Sequence, residues 1–132
     1  MIALDTNVIV RVITRDDRAQ ASLAASLMKE NALWVSKTVL LETEWVLRYT
    51  YEYDAKAINA ALSVLVGLQN LTVEDAPGVE VALRWHLAGM DFADALHLAS
   101  SGGAARLATF DRRFARAAAR VTGSIPVELL EG

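Results

Sequence analysis

Four acidic residues, Asp5, Glu42, Asp94 and Asp111, stand far apart in the chain, yet each falls where a parallel α/β fold would carry it to the same edge of a sheet. The chain has no cysteine, and its two histidines are not in a paired metal-ligand spacing. A set of hard oxygen donors of this kind suits a hard divalent cation, Mg²⁺ or Mn²⁺, and so metal-assisted chemistry on a phosphate. Two carboxylates about 4 Å apart repel by roughly 4 kcal/mol at an effective dielectric of 20, so a cluster of four is costly unless protonated or occupied by a cation.

The elements that would position these acids can be read from punctuation and periodicity. Residues 2–4 form a short apolar strand, and Thr6-Asn7 can cap a helix from Val8 to about Thr14. That leaves Asp5 to the ligand role. Asp17 opens a second helix, and 33–35 is a second strand. Ser36 or Thr38 starts the helix that carries Glu42, and Asp54 starts one that ends near Gly67. The third strand is 71–73, and Asp75 with Pro77 opens a helix stopping at Gly89. Asp91 opens the helix that carries Asp94. The fourth strand is 107–110, Arg112 to Arg120 is a helix, and 125–127 is an edge strand carrying Pro126.

Strands alternating with helices give a doubly wound, mostly parallel sheet of four to five strands with helices on both faces, in a single domain over 1–132. Such sheets bind ligands outside the carboxyl ends of their strands. Asp5 and Asp111 would each sit just past such an end, facing one another if the first and fourth strands are neighbours. Glu42 and Asp94 would come from helices starting at that edge. Asp91 reads as an N-cap, and Asp111 could equally cap the arginine-rich helix that follows it. Glu44, two residues from Glu42, faces away from it and reads as solvated surface. His97 reads as a packed or capped side chain rather than a ligand.

Composition sets bounds. At 132 residues and 54% hydrophobic, with mean hydropathy +0.28, one core is well supplied. The absence of cysteine excludes a disulfide scaffold and a thiolate zinc site. Met1 leads directly into Ile2-Ala3-Leu4-Asp5, with no basic leader and no membrane-length apolar run, so a soluble, unprocessed cytoplasmic protein is expected. Net charge is −3, but Arg106, Arg112, Arg113, Arg116 and Arg120 cluster around Asp111, and Arg11, Arg15 and Arg18 follow Asp5. Local basic patches for phosphate are compatible with an acidic total. Of these, Arg11, Arg15, Arg112 and Arg116 are candidates for flanking phosphates. Trp34, Trp45, Trp85, Tyr49, Tyr51 and Tyr53 are candidates for an apolar contact surface.

The runs Ala3-Leu4-Asp5-Thr6-Asn7, Leu41-Glu42-Thr43-Glu44-Trp45-Val46-Leu47, Asp91-Phe92-Ala93-Asp94-Ala95-Leu96-His97-Leu98-Ala99 and Thr109-Phe110-Asp111 together resemble a PIN-domain protein. The similarity is greatest to the VapC-type toxins of toxin-antitoxin pairs. The resemblance implies an Mg²⁺-dependent endoribonuclease that hydrolyses RNA phosphodiesters with metal-activated water. It also implies a homodimer, restrained by a cognate VapB-like antitoxin. The family's acids fall on Asp5, Glu42, Asp94 and Asp111, and its supporting polar positions on Asn7 and Thr109. Asp5, Asp94 and Asp111 would hold the ion, while Glu42 would ligate a second ion or position the nucleophile. Arg112-Arg113 stand where some members carry a further acid, which leaves one or two metal ions open. The rival readings are a catalytically silent PIN-fold RNA-binding or scaffold protein, a haloacid-dehalogenase-like phosphotransferase and a flap-endonuclease-like nuclease. The second wants an acid where Asn7 stands and a late lysine, and no lysine follows Lys56. The third wants an arch-forming insertion for which this chain has no room.

Overall fold

The structure, a computed structural model, describes residues 1–131 and divides into two compact units, Met1–Ala76 and the remainder from Pro77. In the first unit the order is β1 (Ile2–Ala3), α1 (Thr6–Thr14), α2 (Arg18–Glu30), β2 (Leu33–Val35), α3 (Lys37–Tyr49), α4 (Ala55–Val66) and β3 (Leu71–Val73). The second carries α5 (Ala76–Leu87, from Pro77 on), α6 (Phe92–Ser100), β4 (Leu107–Thr109), α7 (Arg112–Ala119) and β5 (Val127–Leu129).

Every strand pairing among the described residues is parallel. β2 lies between β1 and β3, with Ala3 opposite Trp34 and Val35 opposite Val73. Alternation decides the register. Leu33 and Val35 are fully buried and pair with buried Leu71 and Val73, while Trp34 and Thr72 take the other face. β4 pairs with β5 from Leu107–Val127 to Thr109–Leu129. The parallel α/β architecture and the five strands are as expected. The ladders form a three-stranded and a two-stranded sheet, however, and β1 and β4 share no ladder among the described residues.

Two element starts differ from the sequence reading by two residues. α1 starts at Thr6 rather than Val8, because Asp5 itself provides the cap. β5 starts at Val127 rather than 125, because Pro126 has no N–H to place in a ladder. Its carbonyl instead accepts from Leu107 N at 2.9 Å just before the strand begins. Gly89, at φ +112, ends α5 in a conformation that any side chain would strain.

Helix faces are built from apolar residues three and four apart. In α3, Leu40, Thr43, Glu44 and Leu47 point inward, and in α4 it is Ile58, Leu62 and Leu65. α6 buries Phe92, Ala95, Leu96 and Leu98, and His86 of α5 meets the ring of Phe92 edge-on at 5.5 Å. Trp85 is buried as well, its indole N–H donating to the Thr122 carbonyl at 3.2 Å. No helix among the described residues is long and apolar enough to cross a membrane.

Truncating Leu47, which is 0% exposed, to Ala should cost about 2–5 kcal/mol by leaving a cavity. Val64→Ala, at a position 70% exposed on α4, should change stability by about 0.5 kcal/mol or less. Urea unfolding of both variants measures the difference.

Candidate functional site

In the first unit, chain reversal after β1 sets the geometry. Asp5 is extended (φ −83, ψ 159) and caps α1, its Oδ1 accepting from the Thr6 amide at 2.8 Å. This corrects the expectation that Thr6 or Asn7 would cap and leave Asp5 uncommitted. The capping contact uses one of two carboxylate oxygens, so Asp5 keeps acceptor capacity. Asp5 and Asn7 are exposed, whereas Thr6 between them is 3% exposed. The Thr6 hydroxyl donates to Glu42 Oε1, reaching from the first turn of α1 to the second turn of α3. Glu42 is exposed. One buried residue thus binds both acids of this unit, a contact that sequence reading missed because Thr6 had been read as a cap.

Glu44 reverses its expectation. It is 2% exposed, not solvated, and its carboxylate meets the Arg48 guanidinium through Nη2–Oε1 at 3.2 Å and Nε–Oε2 at 3.0 Å. Glu42 and Glu44 do face opposite ways. The outward face of α3 is the one that carries Glu42, together with Trp45 and Tyr49, which are 55% and 58% exposed with ring centroids 5.1 Å apart.

In the second unit, three aspartates gather around helix starts. Asp91 caps α6 by accepting from the Asp94 amide at 3.2 Å, and Asp111 caps α7 by accepting from the Phe114 amide at 3.0 Å. Thr109 fixes Asp111 in turn, its hydroxyl oxygen accepting from the Asp111 amide at 3.0 Å. The contact is to the Asp111 main chain and not to its carboxylate. Asp94 is half-buried in the first turn of α6. Burial pushes its carboxyl above the ordinary carboxylate range, and the nearby charges of Asp91 and Asp111 push it further, against His97 and Arg113.

The four acids therefore stand as two pairs: Asp5 and Glu42 joined through Thr6, and Asp94 and Asp111 coupled by charge. Among the described residues no three His, Asp or Glu side chains form a ready metal cage. Mg²⁺ does not require one, since it keeps several waters and binds through one or two carboxylates plus substrate phosphates. A half-buried carboxylate with two acidic neighbours fits such an ion, and the all-oxygen donor set excludes a thiolate-seeking metal.

The arginines divide by engagement. Arg11 is committed to the fold, donating to Gln20 at 2.6 Å, to Tyr51 at 3.1 Å and to Asp16 at 3.3 Å. Its expected phosphate role gives way to tying α1 to α2 and to the segment after α3. Tyr51 also donates to Asp16 at 2.6 Å, which holds the Asp16 carboxyl below the ordinary range. Arg106 pairs with Glu128 at 2.7 Å and Arg112 with Glu131 at 3.3 Å. Arg113 and Arg116 are exposed on α7, and Arg15, at φ 55, is exposed at the end of α1. Arg15 and Arg18 line a surface hollow of about 670 Å³ with Val12, Ala21, Ser22 and Ala25. None of the four acids lines it, so its size alone gives it no part in the chemistry.

The PIN domain family model matches residues 2–120, a span that crosses both units and contains all four acids. No curated protein sequence matches. A solved structure, Mycobacterium tuberculosis VapC20, a sarcin-ricin loop cleaving toxin, is 24% identical, covering 89% of this chain and 95% of that one, with a TM-score of 0.46.

A carboxyl that holds its proton more tightly in the folded chain contributes stability at low pH, and loses it as pH rises from the unfolded to the folded pKa. Ionised Asp94 is accordingly a cost at neutral pH. Without divalent metal, Asp94→Asn should melt above wild type at pH 7, with the gap closing as pH falls through the ordinary carboxylate range. Added Mg²⁺ should raise the wild-type midpoint more than the variant's. Thermal unfolding with EDTA and with Mg²⁺ checks both.

Proposed function

The chain belongs to the PIN-domain family, and from that premise we propose that it is a divalent-metal-dependent endoribonuclease, the VapC-type toxin of a toxin-antitoxin pair. The observation that carries the reading is that all four acids lie within the matched span at the starts of helices. Asp5 and Asp111 cap helices that follow strands, while Asp94 and Glu42 stand in the first and second turns of theirs.

Asp5, Asp94 and Asp111 are the carboxylates we assign to Mg²⁺ or Mn²⁺, and Glu42 either joins them at a second ion or orients the attacking water. When bound, the cation supplies Lewis acidity, making water more acidic and balancing negative charge on the phosphoryl oxygens. The protein's own part is placement. Amide donors at the starts of α1 and α7 hold Asp5 and Asp111, Thr109 sets the turn ahead of Asp111, and burial of Asp94 limits competing water. Arg113 and Arg116 offer charged donors to flanking phosphates, with Arg15 a further candidate. The products would carry a 5′-phosphate and a 3′-hydroxyl.

The same reading gives the protein an RNA substrate, a VapB-like antitoxin, a homodimeric state and a cytoplasmic location. The exposed Trp45–Tyr49 pair supports association through α3. A basic antitoxin side chain entering the Asp94 environment would relieve the repulsion there and exclude the cation.

Purified protein incubated with total RNA should release discrete fragments with Mg²⁺ and none with EDTA. Asp94→Asn and Asp5→Asn should lower the cleavage rate at least about 100-fold, the scale of losing an electrostatic contact to the reacting phosphate. Gel analysis of the fragments decides. Cleavage that persists in either folded variant at the wild-type rate would remove that acid from the mechanism.

A further inference from the structure

The proposed function leaves Thr6 without a task, and its placement is unusual for a polar side chain. It is 3% exposed although the acids it contacts, Asp5 and Glu42, are both exposed. Its amide donates to Asp5 Oδ1 at 2.8 Å and its hydroxyl to Glu42 Oε1, 36 residues away in sequence. As a β-branched residue in a helix it is restricted at χ1 to two main rotamers. Its burial and its contact with Glu42 fix the direction of its hydroxyl.

We propose that Thr6 is a positioning residue for Glu42, and that its hydroxyl fixes which Glu42 oxygen is presented to metal or to the attacking water. This rests on the nuclease reading. A glutamate on an open helix face has three torsions to settle and spreads its carboxylate over several rotamers. A buried donor on Oε1 selects one arrangement and directs Oε2 consistently. Because the same residue's main-chain amide holds Asp5, the two candidate acids of the first unit are set relative to one another by a single residue. Thr6 is buried, so its hydroxyl acts through Glu42.

Outer-shell partners of ligating carboxylates typically contribute about 10–100-fold to metal affinity or activity. Thr6→Val keeps the shape and removes the hydroxyl, and Thr6→Ser keeps the hydroxyl and removes the methyl. Three quantities are read on the whole protein: kcat and KM for RNA cleavage, Mn²⁺ binding by its paramagnetic resonance signal, and the unfolding midpoint. The expected result is a loss of about 10–100-fold in kcat with KM for RNA unchanged in Thr6→Val, and recovery of most of that loss in Thr6→Ser. A parallel drop in Mn²⁺ affinity assigns Glu42 to the metal, and a drop in kcat alone assigns it to the water.

In a Glu42→Gln background the Val substitution should add far less than it does in wild type, as a coupled pair requires. Full additivity overturns the proposal, as does a folded Thr6→Val with wild-type kcat and Mn²⁺ affinity. If Thr6→Val does not fold, Thr6→Ala against Thr6→Ser isolates the same oxygen, and equal behaviour of those two overturns it. A wild-type protein that cleaves no RNA removes the nuclease reading alone. Mn²⁺ titration then decides for Thr6, and affinity insensitive to the hydroxyl overturns its role.

Discussion

Parallel strand pairing is the constraint on which everything else rests. Parallel neighbours cannot be joined by a tight turn, so each return passes through helix and places a helix start beyond a strand's carboxyl end. A helix start exposes amide donors without intrahelical acceptors and carries partial positive charge. Short strands such as β1 and β4 deliver the chain to those starts within two residues, and an aspartate stands at each: Asp5 before α1 and Asp111 before α7. Anionic oxygen at these positions is thus supported by the backbone before any ligand is considered.

That physics also explains what could be read from sequence. Asp17, Ser36, Asp54, Asp91 and Asp111 were each legible as helix starts, and each side chain accepts from the amide three residues on. The four apolar strand runs fell within a residue of their observed limits. Asp5 was misread because its contact goes to the adjacent Thr6 amide and because two polar neighbours offered a competing cap. The fifth strand was displaced by two residues, since Pro126 marked the edge while β-branched Val127 marked the ladder itself. How the ladders divide into two sheets was not legible, because register between distant short strands has no local signature.

The inversion at Glu44 is more instructive, since the signal was present. Glu44 is four residues after Leu40 and three before Leu47, which places it on the apolar stripe of α3. Residue type outweighed periodicity in the reading. A carboxylate on that stripe is tolerable because Arg48, one turn on, brings its guanidinium to it while reaching toward solvent. With the inward face so occupied, Glu42 and Trp45 must turn outward. The exposure of Glu42, which its proposed role needs, follows from burying Glu44.

The two pairs of acids are held by opposite means. Asp5 and Glu42 are each given a donor by Thr6, so the local structure satisfies their charge and fixes their geometry. Asp94 accepts no compensation of that kind among the effects acting on it. Burial and two acidic neighbours dominate, and His97 and Arg113 offset them only in part. On the proposed function, a cation has most to gain where repulsion is least relieved, at Asp94. Satisfied carboxylates, in contrast, serve as fixed reference points. Substitutions at Asp94 and Glu42 should then differ in kind, and not only in size.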